Sequence, residues 1–366
     1  MTIRTFPVLG ALILCSAAGA THGTAPRWCR ARQPPSWHRV LASSVVSLSR
    51  RASVLPIAGA GDGRRFFAQL YSPDFSGVVR IDARTSRLTR IRRFPSARND
   101  QADGSFDGRW FVWNEYHSLS DFFADFTTFA WDSRTGTLLQ IGAAKKDLDG
   151  NFWASPWRQP DVRNGLATWT QGVGPDGETT EVHVYNLASR TDRIVRTGHA
   201  QGSFFVAGPI AVWPESLAPG GRTRMLAANP YTGEEVAAPG SLARLRGISA
   251  LFTDGRTFAY PSAKFISLWW SPSTRTAPHR IFSAKPPNSY VDNSVRIAGR
   301  FVIFSSLGRG YVADTRLHRY VKIGGDPAAI DRKALIVSSW THGKHLHPRN
   351  RIMFVPLRSL PPPGRC

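Results

Sequence analysis

The stretch Phe106-Asp-Gly-Arg-Trp-Phe-Val112 decides the fold of this chain, because similar stretches recur at near-regular intervals. Each copy joins a glycine turn to a run of apolar, β-favouring residues. Successive turns are 45, 57, 43, 47, 44 and 33 residues apart. A unit of about 40–50 residues that repeats in this way is typical of a β-propeller blade. The turns are centred on Gly63, Gly108, Gly165, Gly208, Gly255 and Gly299, with Arg332 in the seventh place.

The glycine turn itself predicts a hairpin. Asp-Gly and Asn-Gly between β-favouring runs favour a type I′ turn, in which both central residues take positive φ. In the third unit, Leu166–Thr170, Glu181–Tyr185 and Asp192–Arg196 then supply the second, third and outer strands. The pattern predicts an all-β chain folded as a seven-bladed β-propeller of four-stranded antiparallel blades.

The last unit lacks an outer strand. Its third strand, Arg351–Val355, is followed by Pro361-Pro-Pro363, which cannot pair within a sheet. The β-prone segment Arg39–Leu48 precedes the first blade, and we predict that it completes the last blade and closes the ring. Cys29 and Cys366 then lie beside the same blade. We predict that they form a disulfide, the alternative being two free thiols.

The first residues are typical of a secretory signal. Arg4 precedes a short apolar run at 6–14, and Ala18-Gly-Ala20 fits a cleavage site. The run is too short to span a bilayer, and no other segment predicts a transmembrane helix. A lipid-anchored start at Cys15 is the alternative, although Leu14 is large for it. We expect a secreted, extracytoplasmic protein with a signal at 1–20, a linker at 21–37, the propeller at 38–358 and a tail at 359–366.

The chain is strongly basic. It has 47 Lys and Arg residues against 25 Asp and Glu, a formal charge of +22. Such an excess favours a polyanionic partner. The alternative is a compositional bias, because only seven of the basic residues are lysine and no block of five or six like charges occurs. We expect a monomer that binds a protein or an anionic cell-surface polymer, with nucleic acid disfavoured and no cofactor.

The copy Ser105-Phe-Asp-Gly-Arg-Trp-Phe-Val-Trp113 resembles the S-x-D-G-[KR] repeat of TolB-like propellers. Gly61–Phe67 and Thr253–Ala259 are weaker copies. The resemblance covers residues 38–358, and no counterpart of the separate N-terminal domain of TolB is visible. It implies the propeller fold. Propellers of this type include binding modules, peptidase domains and sugar-active enzymes, so it leaves the function open.

Two local motifs resemble known binding sites, one for a dinucleotide and one for calcium, but the surrounding sequence does not fit either site. Gly172–Gly177 matches G-x-G-x-x-G, yet it lies between two predicted strands, whereas a dinucleotide site needs a strand followed by a helix. Asp147-Leu-Asp-Gly-Asn151 resembles the start of a calcium loop. Arg158 occupies its acidic twelfth position, which excludes an EF-hand and leaves only a looser calcium site as an alternative.

Long loops between second and third strands share one face of a propeller. Those of blades seven and two flank blade one, and long loops on a rigid scaffold concentrate binding residues. Three histidines in the blade-seven loop suit a Zn²⁺, Cu²⁺ or Ni²⁺ site. Lys344 and Arg349 oppose a cation there, so we expect no metal; merely tolerated insertions are the alternative. The predicted ligand-binding residues are Asp74, Tyr116, His117, Asp121, His342, His345 and His347.

A different hypothesis is enzymatic. Sugar-active propellers place carboxylates where first strands meet the central channel, for acid, base or nucleophile roles. Asp100, Asp292 and Asp326 precede the first strands of blades two, six and seven. We expect a non-catalytic binding or scaffolding module, and the alternative is a carbohydrate-active hydrolase or lyase that uses these three aspartates.

Overall fold

The computed structural model confirms the seven-bladed β-propeller, with seven sheets that follow one another along the chain. It describes residues 27–49, 51–96, 101–117, 124–155, 159–174, 179–206, 208, 210–216, 222–248, 250–262, 264–284, 291, 295–341 and 349–366. Strand β1 (Cys29–Ala31) and helix α1 (Pro35–Ser43) precede the first blade.

The first four blades each contain four antiparallel strands in sequential order. Blade one consists of β2 (Ser53–Gly59), β3 (Arg65–Tyr71), β4 (Ser76–Asp82) and β5 (Leu88–Arg93). Blade two consists of β6 (Gln101–Phe106), β7 (Trp110–Tyr116), β8 (Phe126–Asp132) and β9 (Leu138–Ala143). Blade three consists of β10 (Asp161–Arg163), β11 (Leu166–Gly172), β12 (Thr180–Asn186) and β13 (Thr191–Gly198). Blade four consists of β14 (Phe204–Val206), β15 (Ile210–Ser216), β16 (Thr223–Ala228) and β17 (Glu235–Val236).

The last three blades differ in strand number. Blade five consists of β18 (Phe252–Thr253), β19 (Phe258–Pro261), β20 (Ser267–Ser271) and β21 (His279–Ser283). Blade six consists of β22 (Arg296–Ala298), β23 (Phe301–Ser306), β24 (Arg309–Asp314) and β25 (Arg319–Ile323), and β1 joins it. Blade seven consists of β26 (Asp326–Ile330), β27 (Ala334–Thr341) and β28 (Arg349–Pro356). Two 3₁₀ helices, Gly240–Arg244 and Leu357–Ser359, complete the elements described.

The repeated glycines join first and second strands, as predicted. All six have positive φ, from 58° at Gly299 to 107° at Gly108. A turn with positive φ at both central residues, as type I′ requires, occurs at Asn164 (52°) and Gly165 (77°). The type I′ prediction is wrong for the Asp-Gly turns that the structure describes, because only the glycine there has positive φ.

The hydrophobic core lies between neighbouring blades. Each cluster of buried apolar side chains combines residues from adjacent sheets. The same packing joins the last blade to the first, where the rings of Phe354 and Phe66 stack with centroids 5.8 Å apart. Burial between blades thus packs the last blade directly against the first.

The ring is closed by the N-terminal segment, but not by a strand over Arg39–Leu48. Residues 35–43 form α1, because Pro35 suits the first helical turn and Trp37 and Leu41 bury one face at i, i+4 spacing. Beyond the helix, Val45 forms one antiparallel bridge with Met353 of β28. The Val46 N–H donates to the Ile352 carbonyl at 2.9 Å. The predicted outer strand is therefore reduced to a single bridge.

Both ends of the described chain meet beside blades six and seven. Strand β1 pairs in parallel with β25, and the predicted Cys29–Cys366 disulfide is present with Cα atoms 6.0 Å apart. Trp37 Nε1 donates to the Pro361 carbonyl at 2.8 Å. The domain boundaries at 20, 37 and 358 stay predictions. Among the described residues, no helix is long and apolar enough to cross a membrane.

Candidate functional site

The aspartates of the repeated turns organise one end of the propeller. In four turns the Oδ1 atom accepts the backbone N–H groups two and three residues further on, at 2.7–3.0 Å. This capping fixes the turn without positive φ at the aspartate. The four residues are Asp62, Asp107, Asp254 and Asp331.

Three of these aspartates also link neighbouring blades. Their Oδ2 atoms accept a backbone N–H from the first turn of the next blade, at 2.8–3.0 Å. The pairs are Asp107 with Gly165, Asp254 with Gly299, and Asp331 with Gly61. The aspartate of the repeat is therefore a structural acceptor.

The arginine that follows the turn glycine is neutralised in some blades. Arg109 donates to Asp132 at 2.6 Å, and Arg64 lies 2.5 Å from Asp82. The side-chain hydrogen bond from Arg109 is the main cause that holds the pKa of Asp132 below its ordinary value. The S-x-D-G-[KR] pattern thus encodes contacts within and between blades, in keeping with its value as a fold signal.

A cavity of about 520 Å³ occupies the central channel, and the first strands of all seven blades line it. Two side chains tie non-adjacent blades across it. Arg296 of blade six lies 3.2 Å from the Asp103 carboxylate of blade two. Arg163 of blade three donates to the Asp254 carbonyl of blade five at 2.7 Å. Burial raises the pKa of Asp103, although Arg296 acts in the opposite direction.

The four aspartates that line this cavity have both carboxylate oxygens occupied. Asp161 accepts N–H groups from Val162 at 3.0 Å and from Phe205 at 2.9 Å. The other three are the turn aspartates described above that reach the next blade, Asp107, Asp254 and Asp331. Carboxylates held by backbone donors on both oxygens are poorly placed to exchange protons with a substrate.

Of the three predicted acid–base aspartates, the structure describes one. Asp326 begins β26, and burial raises the pKa of its carboxyl group. Its Oδ1 atom is buried without a hydrogen-bond partner among the described residues. Asp100 and Asp292 lie outside the described residues.

The predicted face-loop site is described only in part. Asp74 lies in a tight turn of blade one, where its carbonyl accepts a hydrogen bond from Arg93 at 3.0 Å. Tyr116 is 2% exposed and belongs to the apolar cluster between blades two and three. His117 Nε2 is hydrogen-bonded to Thr127 Oγ1 at 3.1 Å. Asp121, His342, His345 and His347 lie outside the described residues, so the site stays a prediction.

A set of ion pairs on that loop face was not predicted. Near the end of the outer strand in blades one, two and three, a cation lies against a carboxylate of the next blade. Glu115 and Glu215 are buried, and the motifs Val112-Trp-Asn-Glu115 and Val212-Trp-Pro-Glu215 were the visible signal. The pairs are Arg92 with Glu115 at 2.9 Å, Lys145 with Glu181 at 2.7 Å, and Arg196 with Glu215 at 2.5 Å.

The G-x-G-x-x-G match and the segment that resembles a calcium loop both lie in connections between strands. Gly172 ends β11 and Thr180 begins β12, so the G-x-G-x-x-G match joins two strands, as predicted. Asp147 Oδ1 accepts the N–H groups of Asp149 and Asn151 at 2.9 and 2.8 Å. Among the described residues, no group of three His, Cys, Asp or Glu side chains is arranged to hold a metal ion.

Comparison with solved structures supports the fold. An oligogalacturonate lyase from Vibrio parahaemolyticus aligns with a TM-score of 0.50 and 10% identity, over 84% of this chain and 92% of that one. A prolyl endopeptidase aligns with a TM-score of 0.51 and 12% identity, over 89% and 53%. TolB from Acinetobacter baumannii has a TM-score of 0.42 and 12% identity, over 74% and 62%. At these identities the similarity shows the propeller fold alone.

Neither the known protein-family models nor the curated protein sequences match this chain. The two solved structures above with TM-scores of 0.50 and 0.51, a lyase and an endopeptidase, differ in activity. The function therefore has to be argued from the side chains.

Proposed function

We propose that this protein is a secreted, TolB-like propeller that binds an anionic polymer without chemical turnover. One observation carries the proposal: the carboxylates of the channel are occupied, whereas the large excess of arginine is only partly neutralised. The four aspartates that line the cavity accept backbone N–H groups on both oxygens. With 47 basic and 25 acidic residues, the chain has more cations than its carboxylates can neutralise, and this excess attracts a polyanion.

An extracytoplasmic location is part of the proposal. The Cys29–Cys366 disulfide joins segments 337 residues apart in the chain. Structural disulfides persist in oxidising compartments, in agreement with the signal-like residues 1–20. An anionic polymer of the cell surface is the ligand class that such a basic protein meets there.

The test is direct binding of the purified protein to three polyanions of different chemistry: polygalacturonate, polyphosphate and heparin. Uncharged dextran is the control. With about four arginine contacts, affinity should fall roughly 50-fold between about 50 mM and 200 mM NaCl, because each contact releases a counterion. Binding to none of the polyanions, or binding that does not weaken with salt, would reject the proposal.

The enzymatic alternative is favoured by one observation. Asp326 has a raised pKa and a buried oxygen without a partner among the described residues, as a general acid requires. Incubation with acidic polysaccharides, followed by measurement of new reducing ends and of unsaturated products, tests it. Product formation that disappears in Asp326→Asn would establish the alternative, and intact polymer would reject it.

A further inference from the structure

We infer that the anionic polymer binds in a cleft between blades five, six and seven, on the face that carries the glycine turns. The inference rests on the proposed function and adds the place and the chemistry of recognition. The cleft has a volume of about 640 Å³. Four arginines line it: Arg256, Arg300, Arg332 and Arg358.

The four guanidinium groups come from separate elements. Arg256, Arg300 and Arg332 belong to the first turns of blades five, six and seven, and Arg358 lies in the 3₁₀ helix Leu357–Ser359. All four residues are exposed. Asp254 and Asp331 cap the turns of blades five and seven through backbone N–H groups, so the arginines project from fixed backbone. A rigid scaffold lowers the entropy lost when a ligand binds.

Arg256 lacks the acidic partner that Arg64 and Arg109 have at the same place in blades one and two. The guanidinium groups of Arg256, Arg332 and Arg358 make no hydrogen bond or ion pair in the part of the chain that the structure describes, and the contact of Arg256 with Asp254 is made by its backbone N–H. Arg300 lies 3.7 Å from Asp314 and 4.6 Å from the Phe301 ring, so its outer nitrogens stay available. Four guanidinium groups in one cleft therefore face solvent with little neutralisation.

Strand register explains why the turns of blades five and seven lack a neutralising carboxylate. The first paired residue of the second strand stands opposite an aspartate in blades one, two and six, namely Asp82, Asp132 and Asp314. In blade five the same place holds Ser271, followed by Pro272, and in blade seven it holds Pro356. The repeat has thus lost its neutralising carboxylate in two of the three blades that form the cleft.

The one carboxylate in the cleft cannot replace those partners. Asp254 accepts the N–H groups of Arg256 and Thr257 on Oδ1, at 3.0 and 2.9 Å. Its Oδ2 accepts the Gly299 N–H at 2.8 Å. Both oxygens of this carboxylate therefore accept hydrogen bonds from the backbone of the turns.

The chemistry of the cleft selects its ligand. Guanidinium groups bind carboxylate or phosphate in a planar, bidentate geometry. Four of them in one cleft match several oxyanions along a linear chain better than a single small anion. The opposite, loop face is less suited, because Arg92, Lys145 and Arg196 are each paired there with a glutamate. We assign the cleft to an anionic cell-surface polymer whose repeating groups are carboxylates or phosphates.

The test compares two charge-matched double variants of the full chain. Arg256→Gln with Arg358→Gln removes two of the four guanidinium groups from the cleft. Arg84→Gln with Arg134→Gln removes the same charge from turns of blades one and two, where both residues are exposed. Polygalacturonate and polyphosphate are the two probes, and they separate carboxylate from phosphate recognition. Thermal unfolding of each variant checks that the fold is intact.

The cleft variant should bind its preferred probe at least about tenfold more weakly, with a salt slope shallower by about 1.4, as expected for two lost contacts. The control variant should match the wild type. Equal losses in both variants, or a loss in neither, would overturn the inference while the proposed function stands. Absence of binding by the wild type would reject both. Duplex DNA is measured alongside the two probes, and tighter binding of it would overturn the assigned ligand class. The single variant Arg358→Gln provides a second measurement if the double variant unfolds.

Discussion

The carboxylate of Asp331, in the last blade, accepts a hydrogen bond from the backbone N–H of Gly61, in the first blade, at 2.9 Å. It repeats the contacts of Asp107 with Gly165 and of Asp254 with Gly299. The two ends of the repeat array are therefore joined by the same link that joins successive blades. The motif that predicts the fold also supplies a bond that closes it.

Asp331→Ala should destabilise the protein by about 1–2 kcal/mol, because one turn loses its cap and the closing bond is lost. Asp62→Ala is the matched control. Asp62 caps its turn in the same way, yet its Oδ2 contacts Arg65 in its own blade. Urea unfolding should show the smaller loss for Asp62→Ala. Equal losses would mean that the link between blades adds nothing.

Loss of the disulfide should destabilise the protein, because the two ends of the chain are then no longer linked covalently. For a closed loop as long as the 337-residue separation of Cys29 and Cys366, the chain-entropy model gives a stabilisation of ~6 kcal/mol. The double variant Cys29→Ser with Cys366→Ser should therefore unfold at a markedly lower denaturant concentration. Wild-type protein in reducing agent should behave like the variant. Coincident unfolding curves for oxidised wild type and variant would contradict the expectation.

The pair Arg196–Glu215 should be worth far more than an exposed ion pair. Glu215 is 4% exposed, accepts two bonds from Arg196 and also accepts the Trp213 indole N–H at 3.0 Å. Arg196→Leu leaves this carboxylate buried without its cation, and we expect a loss of about 3–5 kcal/mol.

Lys145→Leu provides the comparison, because Lys145 is about half exposed and its pair with Glu181 should contribute at most ~1 kcal/mol. A double-mutant cycle with Glu215→Leu isolates the coupling of the buried pair. The same cycle is measured for Lys145 and Glu181. A coupling energy between Arg196 and Glu215 no larger than that between Lys145 and Glu181 would contradict the expectation.

The buried Asp326 predicts a pH-dependent gain on neutralisation. Burial raises the pKa of its carboxyl group in the folded state above the ordinary 3.8. Ionisation of this group therefore costs more in the folded than in the unfolded state, and the folded state loses stability as the pH rises from 3.8 through the raised pKa. Asp326→Asn should raise the melting temperature at neutral pH by about 1–3 °C. The gain should shrink as the pH falls through the raised pKa and vanish below 3.8, where the wild-type carboxyl is protonated in both the folded and the unfolded state. A gain that does not change with pH would contradict this account.

The sequence predicted the blade count and the hairpins because a tight turn is a local feature. Gly108 and its counterparts need positive φ whatever surrounds them, so their spacing alone reveals the repeat. The N-terminal helix was mistaken for a strand because Val40, Leu41, Val45 and Val46 favour extended structure. The i, i+4 pair Trp37 and Leu41, after Pro35, was the overlooked signal.

The candidate site was harder to predict, because neutralisation depends on register between strands. Arg64 and Arg256 follow similar Asp-Gly turns, yet only Arg64 has an aspartate within reach. Net charge therefore indicated a polyanion, while the location of the unpaired arginines required the pairing of β19 with β20 and of β27 with β28. The histidine loop lies outside the described residues and stays a sequence-based prediction.

Binding of polygalacturonate and polyphosphate by the wild-type protein, followed across salt concentration together with polymer length, tests the central claim most directly. We predict saturable binding that weakens as salt rises and leaves the polymer at its original length. Polymer that becomes shorter in the presence of the protein, or the absence of any salt-dependent binding, would contradict a non-catalytic module for anionic polymers.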